Sequence, residues 1–309
     1  MSIEHRQVRV GRLELHVAEL GSGPPVLLLH GFPAYWADWR GLMQALADAG
    51  FRAIAPDMPG YGQSERLPDV RDYRLPLLAA DIAGLITALG FSKAHVIGHD
   101  WGGPVAYCLA SEYPSLVERL IVINAPHPAQ FGFALRHFDQ LHRSWYAFMF
   151  QLPWFPEWLV CRRPPMAFTL RGMAVRVGAF SEADVDRYLE AMRLPGVARA
   201  GLAYYRAAFR AAFRGAFRAV KPPTWIVNQP TLVLWGEQDL SLSGNVLLPD
   251  LPRHVPDVRV ERFANAGHWL HHDLPEAISR RIIEFLAASS PSELERGRVQ
   301  PSPAERGCS

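Results

Sequence analysis

The chain has little cysteine, almost no lysine and no long apolar run. Its three cysteines, Cys108, Cys161 and Cys308, are scattered along 309 residues. That spacing makes neither a disulfide framework nor a zinc pattern, so a reducing, cytoplasmic setting is expected. Lys93 and Lys221 are the only lysines, and arginine carries the remaining basic charge. With a net charge of +2, no overall field favours a nucleic-acid partner. No apolar run approaches the roughly 20 residues of a membrane helix. Met1 to Arg6 lacks the charged-then-apolar pattern of a signal peptide, so no stable membrane insertion is expected. No motif implies a metal or an organic cofactor.

What is present is apolar: 49% of residues are hydrophobic and 20% charged, enough for one large core with an insertion. Short apolar runs at Val26–Leu29, Ala53–Ala55, His95–Ile97, Ile121–Ile123 and Leu232–Leu234 read as buried strands. Helical patterns such as Leu42–Ala49 and Leu77–Leu89 lie between them. This alternation predicts an α/β fold, a mostly parallel sheet with helices on both faces. Leu13–Leu20 alternates more openly and is expected to be an antiparallel edge strand. The rhythm breaks after Ala125. Residues 127–224 are rich in Trp, Phe, Arg and Pro, and hold fourteen Arg and Lys against six Asp and Glu. They read as an inserted helical cap. The core is then 1–126 and 225–289, and 290–309 reads as a disordered tail. Within the cap, Arg206, Arg210, Arg214 and Arg218 recur every fourth residue beside Phe209, Phe213 and Phe217. That pattern predicts a surface helix with phenylalanines inward and arginines in water.

Gly98-His99-Asp100-Trp101-Gly102-Gly103 follows a strand, Ala94–Ile97, and precedes a helical run. This is the pattern of a nucleophile elbow, a sharp turn that exposes one side chain. The usual residue there is serine, and here it is Asp100. A carboxylate with a reference pKa of about 3.9 is already ionised at neutral pH. It can attack an electrophilic saturated carbon without a base, giving an alkyl ester whose carbonyl water then attacks. Activation of that water is assigned to His268, in Asn265-Ala266-Gly267-His268-Trp269, with Asp239 fixing its tautomer. Glu237 is a weaker candidate for the acid. The order nucleophile, acid, histidine is that of hydrolases built on such an elbow. His30-Gly31-Phe32-Pro33, after Leu29, is positioned to supply an oxyanion N–H from Phe32, with the other from Trp101.

His30 to Pro33, Asp57-Met-Pro-Gly-Tyr-Gly-Gln-Ser64, Gly98 to Gly103 and the Asp239/His268 pair together resemble the epoxide hydrolases of the α/β-hydrolase superfamily. The resemblance spans roughly residues 8–288. It implies an α/β-hydrolase fold, small apolar epoxides and water as reactants, and substrate contacts from His30, Pro33 and Trp101. It further implies two cap tyrosines hydrogen-bonded to the epoxide oxygen. Ser144 to Gln151 resembles the segment bearing the first, Tyr146; Leu202 to Arg206 resembles the second, Tyr205, with Tyr204 adjacent. A phenol donating to the leaving oxygen avoids a free alkoxide. Haloalkane or haloacid dehalogenases sharing the aspartate nucleophile are the alternative, and a non-catalytic receptor on the same fold is another. Fluoroacetate dehalogenases carry arginines where this chain has Trp101 and Pro104, and haloalkane dehalogenases carry Asn or Glu where it has Phe32.

Overall fold

The computed structural model describes residues 2–218 and 224–288. Its centre is an eight-stranded sheet in the order β1-β2-β4-β3-β5-β6-β7-β8. The strands are β1 (Glu4–Val10), β2 (Leu13–Leu20), β3 (Pro25–Leu29), β4 (Arg52–Pro56), β5 (Ala94–His99), β6 (Val117–Ile123), β7 (Thr231–Gly236) and β8 (Val258–Phe263). Pairing is antiparallel for β1–β2 and β2–β4 and parallel from β4 to β8. Leu13–Leu20 is antiparallel as expected, but it is not the edge: β1 lies outside it. The β1 sequence EHRQVRV leaves five of its seven side chains exposed. It therefore has no apolar alternation to read, and its charges suit an unpaired edge.

The parallel strands bury both faces. Leu27, Leu29, Val96, Val122 and Val233 pack into one core cluster. Their neighbours Val26, Leu28, Ile97, Ile121 and Leu232 pack into the other. The period-two alternation of Cβ atoms sorts them. Helices α1 (Arg40–Asp48), α2 (Leu75–Ala88) and α3 (Gly102–Glu112) follow β3, β4 and β5.

Between β6 and β7 the described residues form helices and no strand: α4 (Pro128–Ala134), α5 (Phe138–Arg143), α6 (Trp145–Met149), α7 (Phe155–Val160), α8 (Arg163–Ala167), α9 (Glu182–Arg193) and α10 (Val197–Arg218). Helix α9 begins with a capping box, Ser181 and Asp184 exchanging side-chain and backbone hydrogen bonds. After β7 come α11 (Gly244–Leu247), α12 (Leu270–Asp273) and α13 (Pro275–Ala287). The expectation for α10 holds at Arg210, which is exposed, and fails at Arg206 and Phe209. Arg206 turns inward, donating to the carbonyls of Phe150 and Leu152 and pairing with Glu157, while Phe209 is exposed. Unpaired carbonyls near the end of α6 offer a guanidinium more hydrogen bonds than water-facing placement requires. The side chains of Phe213, Arg214, Phe217 and Arg218, and the whole of 290–309, lie outside the described residues.

Candidate active site

Asp100 occupies the turn between β5 and α3 with φ of 48°. Non-glycine residues seldom adopt that conformation, which costs on the order of 1–3 kcal/mol. Surroundings enforce it. A Cβ on Gly102 would lie 1.9 Å from the Leu29 carbonyl oxygen, and one on Gly31 would lie 2.3 Å from Asp100 Oδ1. The elbow and the His30 loop therefore approach closely because both have glycine at the contact. The Phe32 N–H donates to Asp100 Oδ1 at 2.8 Å, and the Trp101 N–H also donates to this carboxylate. Burial raises the Asp100 pKa, and the His268 charge and these two N–H groups oppose the rise.

His268 Nε2 lies 3.6 Å from Asp100 Oδ2, while its Nδ1 is 2.8 Å from Asp239 Oδ2. Asp239 is fully buried and fully bonded. Its Oδ1 accepts from the N–H of Ser241 and of Leu242, and its Oδ2 accepts from Asn124 Nδ2 as well as His268. Burial opposes protonation of His268, but the charge and hydrogen bond of Asp239, followed by the charge of Asp100, outweigh it and raise the pKa to about 9. At neutral pH the imidazolium thus stands between two carboxylates. Glu237, the weaker candidate, is exposed and pairs with Arg262.

Two cap tyrosines face Asp100. The Tyr146 hydroxyl hydrogen-bonds the side chains of Ser241 and Tyr205, and the Trp101 indole N–H donates to Tyr205. Their ring centroids are 5.9 Å apart. Burial, then the Asp100 charge, raises both phenol pKa values, so both are proton donors at neutral pH. Tyr205 sits on the Phe32 and Trp101 rings, at 5.6 and 4.9 Å. Its neighbour Tyr204 points elsewhere, donating to the Pro59 carbonyl at 2.9 Å.

His30 is not brought to the reacting groups through its polar atoms. Its Nε2 accepts from the Met58 N–H, and its Nδ1 is 2.9 Å from the Gly31 carbonyl, so both nitrogens are spent on backbone. Pro33 is buried and follows a cis peptide bond. Asp57 is likewise structural, holding His16, Trp36 N–H and Gln63 N–H.

Several supporting residues escaped the sequence reading. Asn124 follows β6 with φ of 40°, and its amide ties Asp239 to the Gly236 backbone. Its only sequence signal is an asparagine directly after a buried strand, the residue type that best tolerates that conformation. Asp273 accepts from Gly267 N–H on the histidine loop and from Val175 and Arg176 N–H on the insertion. It thereby couples the two. His99 Nε2 donates to the His268 carbonyl. Asp38 accepts from His271, His272 and Tyr188. Asp38, His271 and His272 are also the one grouping of three potential metal ligands among the described residues. Both histidine nitrogens facing Asp38 already donate to it, and His271 Nδ1 has no partner. A metal-bound imidazole normally has its other N–H engaged, so the trio fits a hydrogen-bonded clasp.

A family model described as alpha/beta hydrolase fold matches residues 24–275. An AB hydrolase superfamily protein, YfhM, of Bacillus subtilis is 39% identical over 285 residues, covering 90% of this chain and 96% of that one. Epoxide hydrolase 3 of Xenopus tropicalis is 34% identical over 295 residues, covering 92% and 78%. The crystal structure of a Bacillus megaterium epoxide hydrolase with an inhibitor superposes with a TM-score of 0.83 at 28% identity, covering 92% and 100%. The sheet order, the elbow at Asp100 and these likenesses agree, and the chain belongs to the α/β-hydrolase superfamily, where its relatives include epoxide hydrolases.

Proposed function

We propose that this protein hydrolyses small apolar epoxides to vicinal diols through an alkyl ester on Asp100. One observation carries the reading: a carboxylate backed by two N–H groups is faced by two protonated phenols joined to each other. Asp100 Oδ1 receives the Phe32 N–H, which leaves Oδ2, on the His268 side, as the attacking oxygen. Attack forms the Oδ2–carbon bond and breaks one ring C–O bond. The freed oxygen takes a proton from Tyr146 or Tyr205, so no free alkoxide forms. The relatives named epoxide hydrolases support this substrate class.

Alkylation also changes His268. The ester removes the negative charge of Asp100, one of the influences that hold the imidazole pKa near 9. His268 therefore sheds its proton more readily in the intermediate than in the free enzyme, and it can restore the phenol. Neutral His268 then takes a proton from water as that water attacks the ester carbonyl. The charge that develops on Oδ1 meets the Phe32 and Trp101 N–H groups. Collapse releases the diol and regenerates the carboxylate.

A dehalogenase would need a cradle of weak donors for halide and no proton donor. Phenols that hydrogen-bond one another beside the nucleophile favour an oxygen leaving group. The test is a panel of epoxides, haloalkanes, fluoroacetate and carboxylic esters. Turnover of epoxides alone is expected, and halide release without epoxide turnover would overturn the reading.

A further inference from the structure

The outer face of the insertion is unusually apolar. Trp154 is 77% exposed, Trp145 61% and Trp158 52%, and Phe148, Phe155 and Phe209 also face solvent. Four of these six residues form two ring pairs. Phe148 on α6 and Phe209 on α10 have ring centroids 6.0 Å apart, and Phe155 stacks with Trp158 on α7. Arg206 binds the Phe150 and Leu152 carbonyls and Glu157, fixing the segment that carries Trp154 against α10. Three exposed tryptophans and three exposed phenylalanines within one insertion mark a region that a partner surface covers.

Basic charge adjoins it. Trp158 also lines a groove of about 500 Å³ with Arg162, Arg193 and Arg199. The Arg162 guanidinium lies 4.6 Å from the Trp158 ring centroid. Among the described residues none of these three arginines pairs with a carboxylate, whereas Arg163, Arg171 and Arg187 do. The insertion as a whole carries fourteen Arg and Lys against six Asp and Glu. Among the described residues Arg193 and Arg199 donate only to the backbone carbonyls of Cys161 and Pro68, so their charges are not neutralised. Tryptophan beside such arginines is the composition of a surface that rests in the headgroup region of an anionic bilayer. The same excess of positive charge works against a second copy of this face as the occupant. Among the described residues no helix is long and apolar enough to cross a membrane, so the contact is peripheral.

We propose that this aromatic and arginine face docks the protein on anionic lipid bilayers. The inference stands apart from the catalytic reading, since it uses none of Asp100, His268, Asp239, Tyr146 or Tyr205. The test is flotation of the purified protein with vesicles of phosphatidylcholine alone or mixed with phosphatidylglycerol, at low and high salt. Binding is expected only to the mixed vesicles, weakening as salt rises. Trp154→Ala with Trp158→Ala should lower the partition constant about tenfold or more. Arg193→Gln with Arg199→Gln should lower it roughly fivefold per charge. These side chains are exposed, so thermal melting should match wild type. Should a variant melt early, quenching of wild-type tryptophan fluorescence by brominated phosphatidylglycerol vesicles replaces it, and strong quenching is expected. Absence of binding to the mixed vesicles overturns the proposal. So does binding that both variants retain, or concentration-dependent self-association that the tryptophan variant abolishes.

Discussion

Asp100, Asp239 and His268 stand on loops at the C-terminal ends of β5, β7 and β8, whereas Tyr146 and Tyr205 hang from helices α6 and α10 of the insertion. The first group is held by backbone. Asp100 is fixed by an enforced left-handed turn, and Asp239 by two N–H groups and the Asn124 amide. The second group is held by rings and hydroxyls, with Tyr205 wedged among Phe32, Trp101 and Phe150. The division suits the chemistry. In the proposed mechanism the nucleophile and the water-activating pair need fixed distances, whereas the donors to the leaving oxygen meet substrates of different shape.

The largest expected effect is at the sheet side. Asp100→Ala should abolish turnover while circular dichroism and melting stay near native: the variant removes a carboxylate whose charge burial disfavours, while alanine keeps the cost of the left-handed turn. Residual turnover within tenfold of wild type would make the insertion side sufficient and break the contrast. His268→Gln comes next: alkylation should continue and hydrolysis should stall. Intact-protein mass spectrometry is expected to find an adduct equal to one substrate. A reactive epoxide that binds without forming it would remove the division into two half-reactions.

The insertion side should respond more mildly. Tyr146→Phe or Tyr205→Phe should slow alkylation, read by stopped flow, on the order of 10²-fold. The double variant should lose less than the product of the two, since the hydroxyls are hydrogen-bonded to each other. Tyr204→Phe sharpens the contrast at its smallest. It strips the Pro59 carbonyl of its donor, so stability should fall by about 1–3 kcal/mol in denaturant titration with the alkylation rate unchanged.

Acidity offers a separate probe of the sheet side. The free-enzyme His268 pKa is raised to about 9 by Asp239 and Asp100 against burial. In the proposed mechanism the ester neutralises Asp100, and that pKa falls. Single-turnover hydrolysis should therefore rise with pH through a midpoint below 9 and level off. The folding contribution runs the other way. A raised histidine pKa stabilises the fold fully below the unfolded value near 6.5 and loses that share as pH rises through about 9. Melting temperature should thus decline from pH 6.5 to 9 in wild type and stay flatter in His268→Gln.

Much of the parallel sheet was legible because buried strands such as Leu27–Leu29 and Leu232–Leu234 are continuous apolar runs bounded by turns. The elbow was legible because a tight turn demands glycine around its apex, a demand that leaves a spaced signature. β1 was not, since an edge strand of charged residues has no apolar period. The inward Arg206 was missed because two of its partners are backbone carbonyls, which leave no mark in a side-chain pattern, and the third, Glu157, lies 49 positions away. Asn124 and Asp273 were missed for a related reason. Each acts on residues more than ninety positions away, Asn124 on Asp239 and Asp273 on Val175 and Arg176, and only the folded chain brings them together.

The most direct test of the central claim is a single turnover with enzyme in excess over a racemic epoxide in water enriched in heavy oxygen, followed by proteolysis and mass analysis of the peptide bearing Asp100. Covalent catalysis predicts one heavy oxygen in the Asp100 carboxylate and none in the first-turnover diol, because water attacks the ester carbonyl. Heavy oxygen in the diol with an unlabelled Asp100 would mean that water opens the epoxide directly, and would contradict the account.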